Sequence, residues 1–205
     1  MKKTVAALSL ATLFVGAAGS AMAQDNDPWL VRFRAVNIST ENNSDPVGGT
    51  GPGDRITVQN KTIPEVDISY FFTPNIAAEL VLTYPQTHDV YLDGSKIGSF
   101  KELPPTLLLQ YHFLPQGSID PYVGAGVNYT HISDVNLLNG AGTLESHSTG
   151  GALQAGVDFK IDKAWSINLD VKKVWIGSDV YAGGAKISAV RINPVLIGLG
   201  VGYRF

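Results

Sequence analysis

The chain alternates apolar residues with polar or small ones over most of its length. The stretch ending at Phe205 shows this most clearly. Val195, Ile197, Leu199, Val201, Tyr203 and Phe205 share one face of an extended strand, and Leu196, Gly198, Gly200, Gly202 and Arg204 share the other. One face is wholly apolar and finishes in two aromatics. Unbroken period-two alternation predicts a strand with one face in an apolar medium. Its length matches the ~9–11 residues that a tilted strand needs to cross a bilayer.

Seven further segments repeat the pattern. Strand 1 is expected over about 29–38, with Val31, Phe33 and Ala35 on the apolar face. Strand 2 runs over about 64–72 and strand 3 over 76–84. Strand 4 covers about 106–113, and strand 5 starts near Pro121. Strand 6 shows Leu153, Ala155, Val157, Phe159 and Ile161. Strand 7 shows Trp165, Ile167, Leu169, Val171 and Trp175.

Short turns at 73–75, 115–118 and 162–164 alternate with long polar connections at about 39–62, 86–102, 133–149 and 177–190. Asp93-Gly94, inside the second long connection, is a hairpin signal. Trp165 and Trp175 mark opposite ends of one strand, where aromatic girdles belong. The expected fold class is all-β: an eight-stranded antiparallel transmembrane β-barrel with short periplasmic turns, long extracellular loops and both termini periplasmic. The rival is a soluble eight-stranded barrel of lipocalin type, with its apolar faces turned inward. Aromatic banding favours the membrane form.

Composition narrows the class. There is no cysteine, hence no disulfide or thiolate chemistry, and the formal charge is −3. A nucleic-acid partner would want a basic footprint, so none is expected. Lys2 and Lys3, the apolar run from Thr4 to Ala18, and Ala21-Met22-Ala23 read as a secretory signal peptide over residues 1–23, followed by the barrel over 24–205. The expected location is the outer membrane of a Gram-negative bacterium, as a monomer in outer-membrane lipid.

Three stretches resemble the OmpW family of small outer-membrane channels. They are Leu103 to His112 (LPPTLLLQYH), Pro121 to Thr130 (PYVGAGVNYT), and the Val-x-x-Asn-Pro ending with Gly-x-Gly-Tyr-x-Phe from Val190 to Phe205. The resemblance is close over strands 4, 5 and 8 and looser over the rest. It implies a narrow hydrophobic lumen that admits small apolar molecules. It also implies a lateral opening between strands 3 and 4 near Pro85, faced by Pro104 and Pro105. Here the family's usual Thr-Pro-Phe is replaced by Tyr84-Pro85-Gln86, so the aromatic beside that seam has no counterpart.

Strand direction sets the depth of inward side chains. The lower lumen should receive Arg32, Arg34, Asp67, Glu79, Asp158, Lys160, Asn168, Asp170 and Arg204. An ion pair network is expected among Arg32, Arg34, Asp67, Glu79, Asp158, Asp170 and Arg204, because an unpaired buried charge is costly. The upper lumen should receive Val36, Ile38, Val81, Leu108, Val174, Ile192 and Leu196, forming an apolar funnel open above and plugged below. Gly124, Gly126, Gly156, Gly198, Gly200 and Gly202 also point inward, either leaving room for a solute or serving plain barrel packing.

Sites for chemistry are sparse. His88, His112, His131 and His147 lack metal-binding spacing, and no nucleophile elbow or phosphate loop is present. No enzyme activity, catalytic residue, metal or cofactor is expected. Passive uptake of small hydrophobic solutes is the expected function. The alternative is a surface receptor for phage, toxin or host acting through the four loops.

Overall fold

The structure, a computed structural model, describes residues 27–205. The expected signal peptide lies outside those residues. Eight long strands form the wall: β1 (Trp29–Ser39), β2 (Lys61–Phe71), β3 (Ile76–Leu82), β4 (Thr106–His112), β5 (Ile119–Leu137), β6 (His147–Lys160), β7 (Trp165–Val174) and β8 (Val195–Arg204). Each pairs antiparallel with its chain neighbour, and β8 pairs with β1, closing the barrel. Closure pairs the first wall strand with the last, so neither is left as an edge strand, as a sheet in lipid requires.

The alternation sets which residues face out. Phe33, Leu109, Val127, Leu153, Leu169, Ile197 and Leu199 are exposed around the outside, while the residues between them are buried. Trp29, Tyr70, Phe72, Tyr111, Phe113, Trp165, Tyr203 and Phe205 ring the end with the short turns, several of them in edge-to-face or tilted contact. Tyr84, Tyr129 and Trp175 stand exposed toward the loop end. From Trp165 to Trp175 the chain advances ~33 Å at ~3.3 Å per residue. A strand tilt of ~40° projects this to ~25 Å, the height of the apolar band of an outer-membrane barrel.

The long connections are not the polar loops expected. β5 runs on to Leu137, well past the expected end of the strand. Residues Gln86–Leu92 and Ser95–Leu103 form one hairpin, and Gly177–Ala182 with Ala185–Arg191 form a second. Both turn on two residues with positive φ, Asp93-Gly94 and Gly183-Gly184, the geometry that matches strand twist.

The two hairpins are versions of one unit. Asp-Val-Tyr-x-x-Gly-x-Lys-Ile occurs at 89–97 and again at 179–187. Each has a register shift at its Val-Tyr pair. Each also ties its arms with the same ion pair, Lys96 to Asp89 at 2.8 Å and Lys186 to Asp179 at 2.6 Å. They extend the wall above the membrane band and place Val90, Phe100, Val180 and Val190 in its core.

Candidate functional site

The lower half of the interior is a continuous network of ions. β1 supplies Arg32 and Arg34, both inward and both beside the glycine stripe of β8. Arg32 pairs in register with Gly202, and Arg34 with Gly200. A Cβ at Gly200 would collide with the Phe33–Arg34 backbone and lie 2.8 Å from the Arg34 side chain. The space these glycines leave is therefore filled by arginine. Gly156 likewise admits the Tyr122 ring. The barrel-packing reading of the glycines fits these two positions, where protein side chains take up the room.

The Arg32 guanidinium makes a fork with Asp158, Nη2 to Oδ2 at 2.6 Å and Nε to Oδ1 at 3.2 Å, and its Nη1 donates to Glu79 at 2.8 Å. Arg34 Nη1 donates to Asp67 at 2.6 Å and to Glu65 at 3.3 Å, and its Nε donates to Asn168 at 2.7 Å. Its Nη2 donates to the Tyr122 hydroxyl at 3.1 Å and lies 3.8 Å from Asp170. Lys172 joins Glu65 at 2.6 Å and Asp170 at 2.9 Å. Three cations thus meet five carboxylates, all at 5% side-chain exposure or less.

Neutral groups fill most of the gaps, although among the described residues Glu65 Oε2 and Asp67 Oδ1 keep no hydrogen-bond partner. Gln154 donates to Glu79 and Asp170, both at 2.8 Å, and accepts from Gln110 at 2.8 Å. Below, His112 Nδ1 lies 2.9 Å from Asp120. Charges removed from water survive only with this density of partners.

Arg204 does not join the network. It is half-buried, its guanidinium sits 4.0 Å over the Phe71 ring, and its Nε donates to the Asp27 carbonyl at 2.9 Å. The physical reason is position: it is the last residue of β8, where the barrel opens, and the Phe71 face is the nearer partner. Lys160 similarly turns away, donating to the Pro115 carbonyl. Both line a cleft of about 590 Å³ at the turn end, with Asp27, Asp162 and Lys163. Glu65, Lys172, Gln154 and Tyr122 were absent from the sequence expectation. Lys172 shares the phase of Asn168 and Asp170, and Glu65 that of Asp67, so simple extension of the alternation would have placed both.

The upper half is apolar. Val81, Leu108, Val174 and Ile192 are buried in one cluster with Phe100, Ile132, Leu137, Ile176, Val180 and Val190. Val36 and Ile38 pack with Ile63, and Leu196 touches both groups. The expected open funnel is instead filled by its own lining. Leu108 is 1% exposed and Val81 and Val174 each 4%, because eight strands enclose little more than side chains and the hairpins cap the top. A polar stripe also interrupts the grease on one side: Thr106, Asn128, Thr130, Gln86, His88 and Glu102 are buried there.

The three prolines singled out lie together at a break in the wall. The β3–β4 ladder ends at Val81 opposite Thr106 and resumes at Gln86 opposite Glu102. Thr83–Pro85 and Leu103–Pro105 fall between. The β2–β3 ladder also stops, at Val66 opposite Leu82, so the upper part of β2, including Pro64, lacks a β3 partner. A residue without an N–H belongs in such places. Pro85 is exposed, and the Pro105 carbonyl accepts from Tyr129 N–H at 3.1 Å.

The histidines are scattered. His88 lies 3.1 Å from Glu102, while Asp89 pairs with Lys96. Among the described residues no cluster of three or more His, Cys, Asp or Glu is arranged to hold a metal ion.

Comparison with known proteins places this geometry. The family model described as "OmpW family" matches residues 27–205. The uncharacterized outer-membrane protein y4mB of Sinorhizobium fredii is 40% identical, with 98% of this chain and 90% of that protein covered. Outer membrane protein W of Vibrio cholerae is 31% identical, with both chains covered in full. The crystal structure of the outer membrane protein OprG from Pseudomonas aeruginosa superposes with a TM-score of 0.77 at 26% identity, covering 88% of this chain and 96% of that one.

Proposed function

The chain belongs to the OmpW family of Gram-negative outer-membrane barrels, and from that premise we propose that it is a channel for the passive uptake of small hydrophobic molecules. One observation carries the reading. The interior is divided into an apolar upper half and an ionic lower half, and on β7 the change comes between Lys172 and Val174, before Trp175. A water-filled porin would be polar throughout.

The solute enters between the two hairpins and replaces apolar side chains that pack on one another at rest. The ion network closes the way to the periplasm. Moving a greasy solute through it would strip partners from several buried charges at once. The solute leaves sideways, through the proline-lined break between Thr83–Pro85 and Leu103–Pro105, into the membrane.

Uptake of a labelled aromatic hydrocarbon by cells with and without the protein tests this. Val81→Asn or Leu196→Asn sets an unpaired polar group in the path, worth ~1–3 kcal/mol, or roughly tenfold or more in rate. Uptake should fall by that factor while the barrel stays folded. Unchanged uptake with a folded barrel overturns the proposal.

A further inference from the structure

The two hairpins are the same unit, but they differ where they face the lumen. The second presents Ile176 and Ile192, paired by the Ile192 N–H to Ile176 carbonyl hydrogen bond at 3.0 Å and buried in the apolar cluster. At the matching positions the first presents Gln86 and Glu102, which face each other in register, and His88 stands where the second has Ser178. All three are buried, at 1%, 4% and 2% exposure.

These polar groups are only partly satisfied: Gln86 Nε2 donates to the Tyr84 carbonyl at 3.0 Å. Among the described residues, Gln86 Oε1, Glu102 Oε2, His88 Nδ1 and the nearby Thr83 Oγ1 have no hydrogen-bond partner. His88 Nε2 lies 3.1 Å from Glu102 Oε1 without the alignment of a hydrogen bond. The His88 ring is stacked on Phe100 at 5.7 Å, which fixes its plane. The second hairpin demonstrates that the scaffold closes with isoleucine at two of these positions. The polar residues are therefore not demanded by the fold, and burying them unpaired works against it.

We infer that Gln86, His88 and Glu102 form a binding site for the donor group of an amphipathic solute, an apolar molecule carrying a hydroxyl or amine. The free atoms include two acceptors, one of them on a carboxylate, so the matching ligand group donates. Across the lumen, Ile176, Ile192 and Val190 hold the apolar body. The site borders the break at Pro85 and Pro104, so a head bound there lies at the fork between lumen and seam. This rests on the channel reading above and names the class of solute within it.

Three probes with one carbon skeleton test the inference: toluene, benzyl alcohol and benzylamine, titrated against the isotope-labelled barrel in bilayers and followed by chemical shifts. The comparison variant is Gln86→Ile/His88→Ser/Glu102→Ile, which copies the second hairpin. A single variant, Glu102→Gln, serves if the triple one fails to give a barrel spectrum. The alcohol or the amine should bind about tenfold or more tightly than toluene in the native protein. That preference should vanish in the triple variant, and the amine's should weaken in Glu102→Gln, with toluene affinity unchanged. Equal affinity for all three in the native protein overturns the inference, as does a preference that survives in a folded variant. Toluene shifts at Leu108 and Val174 without any preference would sink this inference alone. No lumen shift with any probe would sink the channel reading as well.

Discussion

Arg34→Met removes the cation at the centre of the ion network. Arg34 is in contact with Asp67 at 2.6 Å and Glu65 at 3.3 Å, and lies within 4 Å of Glu79 and Asp170. The variant leaves two cations among five carboxylates and strips the Tyr122 and Asn168 hydrogen bonds. Breaking a buried pair by deleting one partner costs ~3–5 kcal/mol. Methionine keeps most of the side-chain volume, so little of this is cavity. Adding Asp67→Asn removes the carboxylate nearest the missing guanidinium and should return ~1–3 kcal/mol as coupling. The assay is urea unfolding of the barrel in lipid bilayers, followed by tryptophan fluorescence, with the four corners of the cycle compared. A loss below ~1 kcal/mol for Arg34→Met, or strictly additive effects, would refute the idea that these charges are held only by one another.

Other outcomes follow from the same geometry. Gly200→Val drives a Cβ into the Phe33 carbonyl and the Arg34 backbone, which cannot swing aside as a side chain can, and should destabilise the barrel by ~3 kcal/mol or more in the same unfolding assay, at or beyond the upper end of ordinary overpacking. In the first hairpin, the Arg55 hydrogen bond holds the Asp93 carboxyl below its ordinary range. Because the folded value is lowered, the pair's contribution is present above the ordinary carboxylate range and is lost as pH falls through the lowered value. The Arg55 Nε resonance should report that loss on acidification, and Asp93→Asn should abolish the change. Pro85→Ala with Pro104→Val returns two N–H donors to the seam; release of solute into the bilayer should slow while lumen occupancy holds, and an unaltered release rate would contradict a lateral exit.

Much of the wall was legible because alternation is local. A strand that must offer hydrocarbon on one side and charge on the other writes that requirement into every second residue, as Ile197, Leu199 and Val201 do against Gly198, Gly200 and Gly202. Depth was legible too, from strand direction, and it placed Arg32, Glu79 and Asp158 in one layer. Partners were not. Whether Arg34 meets Asp67 or Asp158 depends on the stagger of β1 against β2 and across the lumen, which no single strand encodes. Nor was the filled lumen visible: phase says which way Leu108 and Val174 point, not how near the opposite wall stands. Of the two hairpins, the first was legible in the turn signal Asp93-Gly94, and the second was not. Its polar composition resembles a loop, and the motif shared by 89–97 and 179–187, ninety residues apart, was the available signal.

The division of the interior puts solute in the upper half and lets none pass the ions below. Nuclear Overhauser contacts between a protonated aromatic solute and the methyl groups of an otherwise deuterated barrel measure this directly. Contacts should appear at Val81, Leu108, Val174 and Leu196, ahead of outward methyls such as Leu109 and Leu169, and none should appear at Leu30 below the network. Contacts confined to outward methyls, or extending down to Leu30, would contradict it.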